Sequence, residues 1–158
     1  MYTTRMAFSL SSSAFRSGDS IPKAYTADGR DVSPSLSWED PPSGTQAFAM
    51  ICDDPDAPVG TWVHWVVWNV PASARGFSEA VQHVKTLDNG SAQGKNDFGR
   101  IGYGGPSPPQ GKPHRYVFRL YALREKLELA AGATRGELER KMQGKVLATA
   151  ELFGTYKR

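Results

Sequence analysis

Two aspartates, two histidines and a loop of glycines and prolines are the residues of this chain whose types and spacing could do chemistry. The carboxylates lie in "DDPDAP", where Pro55 and Pro58 fix their own φ angles and push Asp54 and Ala57 out of the helical region. Such a turn holds the side chains of Asp54 and Asp56 in set directions, although a Pro-Asp turn also serves simply to end a strand. His64 follows within "TWVHWVVWNV". A histidine among large apolar side chains needs partners, because an unpaired buried polar group costs roughly 1–3 kcal/mol. A backbone carbonyl would satisfy it. So would an aspartate of the upstream turn, which would also favour the charged imidazole.

The third element is "GYGGPSPPQGKPHRYVF". Gly102, Gly104 and Gly105 permit close backbone approach or positive φ, and Pro106, Pro108, Pro109 and Pro113 stiffen the loop around them. The glycine content favours a loop that faces a ligand. His114 opens the run after the loop and shares a face with Tyr116 and Phe118. Imidazoles and backbone N–H groups converging in this way suit a small anion. Two histidines and a carboxylate are also familiar metal ligands, but no tight H-x-H or H-x-x-x-H spacing makes that reading specific. A dinucleotide motif fails, because Ser107 stands where the third glycine is needed and no helical pattern follows. The spacing of a nucleophile elbow is missing too. His83 lies in a polar stretch and reads as exposed.

Positioning these groups falls to strands. The runs Ala47 to Asp54, Trp62 to Val70 and Arg115 to Leu123 are rich in β-branched and aromatic residues and end at turn formers. Alternation places His64 with Trp62, Val66, Trp68 and Val70, leaving Val63, Trp65 and Val67 opposite. A run apolar on both faces predicts a central strand covered on both sides. Near the C-terminus, Thr134 and Glu137 form a capping box, and Leu138, Met142, Val146 and Ala150 at four-residue spacing predict one helix. Gly144 within it costs roughly 1 kcal/mol relative to alanine, so that helix would rely on packing.

At 158 residues the chain fits one domain, 1–158, that can bury a core without staples. Charged residues at 22% and hydrophobic ones at 39% describe an ordinary soluble globular protein. The net charge of +3 is spread among acids, which argues against a nucleic-acid partner. With Cys52 alone no internal disulfide can form, so a reducing compartment, the cytoplasm, is expected. The opening "MYTTRMAFSLSSSAFRSG" has no continuous apolar run and does not read as a secretion signal, and no window reaches the length of a transmembrane helix.

Taken in order, "IPKAYTADGRDVSPSLSW", "DPDAP", "TWVHWVVWNVP", "GKNDFGRIGYGGPSPPQGKPHRYVFRLYAL" and "VLATAELFGTYKR" span nearly the whole chain. In these motifs the sequence resembles the phosphatidylethanolamine-binding proteins, within them the bacterial Raf-kinase-inhibitor-like branch. The resemblance implies a mainly β domain of two packed antiparallel sheets, a β-sandwich, with a few short helices including one near the C-terminus. It also implies a pocket for phosphate, phospholipid head groups or phosphorylated side chains. By matching positions that pocket is formed by Asp54, Asp56, Pro58, Trp62, His64, Gly105, Pro106, His114 and Tyr116, with Asp54 or Asp56 holding and charging His64. Backbone N–H groups near Gly105 would add donors. No catalytic residue, cofactor or metal is implied. The expected partners are a small anionic or phosphorylated ligand and a protein such as a kinase, and a homodimer is compatible with the resemblance. The chain departs from the branch at Ser107, where cysteine is frequent, and at Lys145, where histidine is. The rival expectation is an enzyme, a metal-assisted hydrolase or an acid–base catalyst built on the Asp and His residues.

Overall fold

The computed structural model describes residues 7–158, so the start of the stretch read above for a secretion signal lies outside the described residues. Two antiparallel sheets carry the architecture. The smaller is ordered β1-β2-β5, from Ser9–Ser11, Leu36–Glu39 and Gly76–Phe77. The larger is ordered β6-β4-β3-β7-β8, from Ala92–Gln93, Trp62–Pro71, Ala47–Asp54, His114–Leu123 and Val146–Tyr156. The fold is therefore mainly β with two antiparallel sheets, as the sequence predicts. Among the described residues one α-helix, α1 (Arg135–Met142), and one 3-10 turn (Lys23–Tyr25) complete the regular structure. Among the described residues no helix is long and apolar enough to cross a membrane.

The large sheet is covered on both faces. Between the sheets, Leu36, Trp38 and Phe77 of the small sheet meet Phe48, Met50, Cys52, Trp65, Phe118 and Leu120 of the large one. On the outer face Ala49, Ile51, Val63, Val66 and Trp68 pack under Leu127, Ala133, and Leu138 and Met142 of α1. Every residue of β3 is buried, which makes it the strand with neighbours on all sides. β4 is also covered on both faces, but beyond it lies only the two-residue β6.

Two expectations are corrected. The predicted C-terminal helix holds Leu138 and Met142, and the other two positions of its pattern, Val146 and Ala150, lie in β8. The Thr134–Glu137 capping box does start the helix. Gln143 leaves helical geometry (ψ 126°) and Gly144 turns the chain at φ +74°, where a side chain would be strained. From there Ala150, Leu152 and Gly154 point inward at every second residue, a strand period that pairs with β7. The second correction concerns β4. Cys52 pairs with Trp65 and Asp53 with Val63, so His64 is an extra residue, a β-bulge. A second bulge separates Val67 from Val70, with Asn69 at φ +53°. Simple alternation therefore breaks twice. Trp65, Val67 and Val70 face the inter-sheet core, whereas Val66 and Trp68 face α1.

The end of β3 carries two consecutive buried acids, and Asp53 is tied to the outer face. Arg119 Nη1 of β7 lies 2.5 Å from its Oδ1, and Arg135 Nη1 of α1 lies 2.7 Å from its Oδ2. Removing part of the compensation for a buried charge is costly, whereas an exposed pair matters little. Arg135→Met should therefore lower the unfolding free energy by about 1–3 kcal/mol. Glu139→Ala, which removes the exposed partner of Arg135, should change it by less than about 0.5 kcal/mol. Urea denaturation of both variants checks the pair.

Candidate functional site

Asp54 turns to the opposite face from Asp53. Its Oδ1 accepts the Asp56 backbone N–H at 2.8 Å, closing the turn, and its Oδ2 accepts His114 Nδ1–H at 2.7 Å. Both side chains are buried. The bond joins the end of β3 to the start of β7 and leaves the Nε2 edge of His114 for the cavity it lines.

His64 is held differently from expectation. No aspartate bonds it; its Nδ1 donates to the Gly104 carbonyl at 2.6 Å, while the Gly104 N–H donates to the His64 carbonyl at 2.9 Å. The bulge makes this possible, since the extra residue of β4 turns its carbonyl to the loop rather than to β3. Burial pushes the imidazole pKa below its ordinary value, a loss only partly offset by the Gly104 carbonyl and the nearby acids. Burial thus favours the neutral imidazole, in which Nδ1–H is the donor and Nε2 the acceptor. Its ring packs edge-on against Tyr116, centroids 5.2 Å apart, and against Phe98 at 5.4 Å.

The two histidines meet at one cavity of about 170 Å³, at the end of the inter-sheet core. Asp54, Trp62, His64, His114 and Tyr116 line it, as do Ala57, Phe98, Ser107, Pro108 and Pro109. The Tyr116 hydroxyl is buried and has no hydrogen-bond partner among the described residues. Burial, and next the Asp54 charge, raise its pKa, so it keeps its proton and can donate. Among the described residues no lysine or arginine lines the cavity, and its polar edge consists of imidazole, phenol and serine groups beside one paired carboxylate. Among the described residues no three His, Cys, Asp or Glu side chains are grouped to hold a metal ion. Both Nδ1 atoms and both Asp54 oxygens are already bonded within the protein.

Four of the expected positions stand away from the cavity wall. Asp56 is engaged by Arg115, through Nε at 3.0 Å, Nη2 at 2.8 Å and the backbone N–H at 2.9 Å. Those bonds hold its pKa down to about 2. Pro58 is exposed on the turn. Gly105 and Pro106 are buried behind the wall, and the Gly105 N–H is already given to Asp31 Oδ1 at 2.7 Å, so it is no free donor. The glycine there serves packing. A Cβ would come within 2.5 Å of the Tyr25 carbonyl oxygen, and at Gly104 within 2.7 Å of the Phe98 ring. His83 is exposed, as expected, and its Nε2 bonds the Tyr103 carbonyl at 3.0 Å.

Sequence reasoning passed over Phe98 and Asp31. Phe98 stands in "NDFGR", held by Asn96, whose Oδ1 accepts the N–H groups of Phe98 and Arg100. An aromatic residue inside a polar turn was the available signal. Asp31 had none, because its partner is distant in sequence. Ser107, Pro108 and Pro109 appear in the sequence as loop stiffeners and a family departure, and only folding turns them toward the cavity.

Comparison with known proteins accords with this fold. Residues 11–157 match the family model described as phosphatidylethanolamine-binding protein. A "UPF0098 protein" of Aquifex aeolicus is 52% identical over 149 residues, covering 93% of this chain and 86% of the relative. The UPF0098 protein YbhB of Escherichia coli is 40% identical over 136 residues, covering 79% and 84%. Among solved structures, the homologue CT736 of Chlamydia trachomatis superposes with a TM-score of 0.88 at 39% identity, covering 96% and 98% of the two chains. YbcL of E. coli, described as a new member of the mammalian PEBP family, gives 0.89 at 34% identity with the same coverage. The chain belongs to the phosphatidylethanolamine-binding protein family.

The depressed imidazole pKa of His64 has a thermodynamic consequence. Below the ordinary imidazole value of about 6.5 the unfolded chain takes up a proton that the folded protein refuses. Stability contributed by neutral His64 is therefore present above that value and lost as pH falls. Urea unfolding between about pH 5 and 7 should show stability rising with pH, and His64→Gln should remove part of that slope. An identical slope in the variant would contradict a buried neutral imidazole.

Proposed function

We propose that the cavity binds a small anionic group, phosphate or a phospholipid head group, in a non-enzymatic binding or regulatory protein of the Raf-kinase-inhibitor-like kind. One observation carries this reading: the Asp54-backed His114, the Nε2 edge of His64 and the unpartnered Tyr116 hydroxyl lie on one small cavity. Trp62, Phe98 and the proline wall would cover the organic part of a ligand, while Ser107 adds a hydroxyl at the rim. Without an arginine fork the site should hold a free phosphate weakly, in the millimolar range. Asp56, Pro58, Gly105 and Pro106 then support the wall rather than touch the ligand.

Proton uptake is part of the proposal. A bound anion favours the charged imidazole, so affinity grows as pH falls. Sulfate separates this effect from titration of the ligand, because it stays dianionic across the range. Its affinity should rise by about threefold to tenfold between pH 7.5 and 5.5. A flat affinity would count against the imidazoles as donors.

The direct experiment is an amide NMR titration with phosphoethanolamine. Saturable shifts should cluster at Asp54–His64 and Ser107–Tyr116, vanish in His114→Ala and weaken in Tyr116→Phe. Silence toward phosphoethanolamine would remove the anion reading. The Asp54–His114 pair also favours a second reading, an acid–base enzyme, since a carboxylate behind Nδ1 orients an imidazole for proton transfer. Turnover of a phosphate or carboxylate ester that disappears in Asp54→Asn would put that reading first, and a response to zinc alone would favour its metal-assisted form.

A further inference from the structure

The wall of the cavity formed by Ser107, Pro108 and Pro109 has few bonds of its own. Pro108 and Pro109 have no N–H to give. Among the described residues, the stretch from Ser107 to Gln110 makes one hydrogen bond to the rest of the protein, which Pro108 accepts from Arg158 Nη1 at 3.2 Å. The anchors lie at its ends. The Ala27 N–H bonds the Pro106 carbonyl at 2.9 Å, and the Gly111 N–H reaches the Arg158 carbonyl at 3.5 Å.

Arg158 is itself fixed. Its Nε and Nη2 form a fork on Asp28, at 3.0 Å to Oδ2 and 2.8 Å to Oδ1. Tyr156 adds its hydroxyl to the same carboxylate at 2.7 Å. Tyr156 is also the β8 residue paired with His114 across the sheet. A continuous path therefore runs from the strand beside His114, through Asp28 and Arg158, to the middle of the opposite wall.

We propose that Arg158 and Asp28 form a latch that positions the proline wall against His114, making both residues positioning residues for whatever the cavity binds. The planar guanidinium suits this task because one group can engage a carboxylate with two N–H bonds and still present a third to a carbonyl. Only the affinity consequence rests on the anion reading. The ordering of the wall does not.

Two substitutions separate a latch from a simple positive charge near the cavity. Asp28→Asn removes a negative charge, so bulk electrostatics would strengthen binding of phosphoethanolamine, whereas loss of the latch weakens it. Arg158→Lys keeps the charge but loses the fork, so electrostatics would leave binding unchanged, whereas the latch again predicts weakening. The expected loss is about threefold to tenfold for each, with the double variant no worse than the poorer single one. Amide ¹⁵N relaxation without ligand gives an independent reading, in which Ser107, Gln110 and Gly111 should become mobile in both variants. Amides as rigid as in the wild type, or tighter binding by Asp28→Asn, would overturn the latch. A loosened wall in a protein whose wild type ignores phosphoethanolamine would support the latch and dismiss the anion reading. Because the variants alter opposite partners of one bond on the surface, each tests the latch even if the other fails to fold.

Discussion

A carboxylate taken out of water must be paired, and the end of β3 buries two of them in succession. Because successive side chains of a strand face opposite ways, Asp53 and Asp54 demand partners on opposite faces of the large sheet. Asp53 draws Arg119 and Arg135, which secures α1 over the outer face. Asp54 draws His114, which places an imidazole at the end of the inter-sheet core. One dipeptide thereby ties the helix and the candidate site to the same strand, and neither can shift without exposing or orphaning a charge.

The bulge at His64 is the second determinant. A regular β4 would spend the His64 carbonyl on its neighbour and aim the ring by alternation. With one extra residue, backbone and ring are both released to Gly104, and the imidazole turns toward Tyr116 rather than toward α1. The glycine loop is shaped to receive it. Gly104 and Gly105 lack a Cβ because Phe98 on one side and the Tyr25 and Asp31 groups on the other occupy that space. The result is two imidazoles with contrasting restraints, one backed by a carboxylate and one by a carbonyl, at a single cavity.

Much of the fold was legible in the residues. The runs that became β3, β4 and β7 were readable because strands buried on both faces need dense β-branched and aromatic residues between turn formers. The helix start was readable because a capping box acts within four residues. The same reading overran at the other end, where Val146 and Ala150 fit a helical spacing and a strand spacing equally well. Packing against β7 decided between them. In the site, Asp54, Trp62, His64, His114 and Tyr116 were recognisable by type and order, and the structure does bring them to one cavity. Their pairing was not recognisable, since the imidazole nearest in sequence to the acidic turn is not the one Asp54 holds.

By itself, then, the sequence determined what depends on neighbours along the chain: strand identity, turn stiffness, the helix cap and the membership of a family. Tertiary structure alone decided which partner each polar group took. It assigned Asp54 to His114, His64 to Gly104, the Gly105 N–H to Asp31 and the Pro108 carbonyl to Arg158. The reason is physical. Periodicity and turn chemistry act over a few residues, whereas the burial that makes a polar group choose a partner arises only when distant segments close over it.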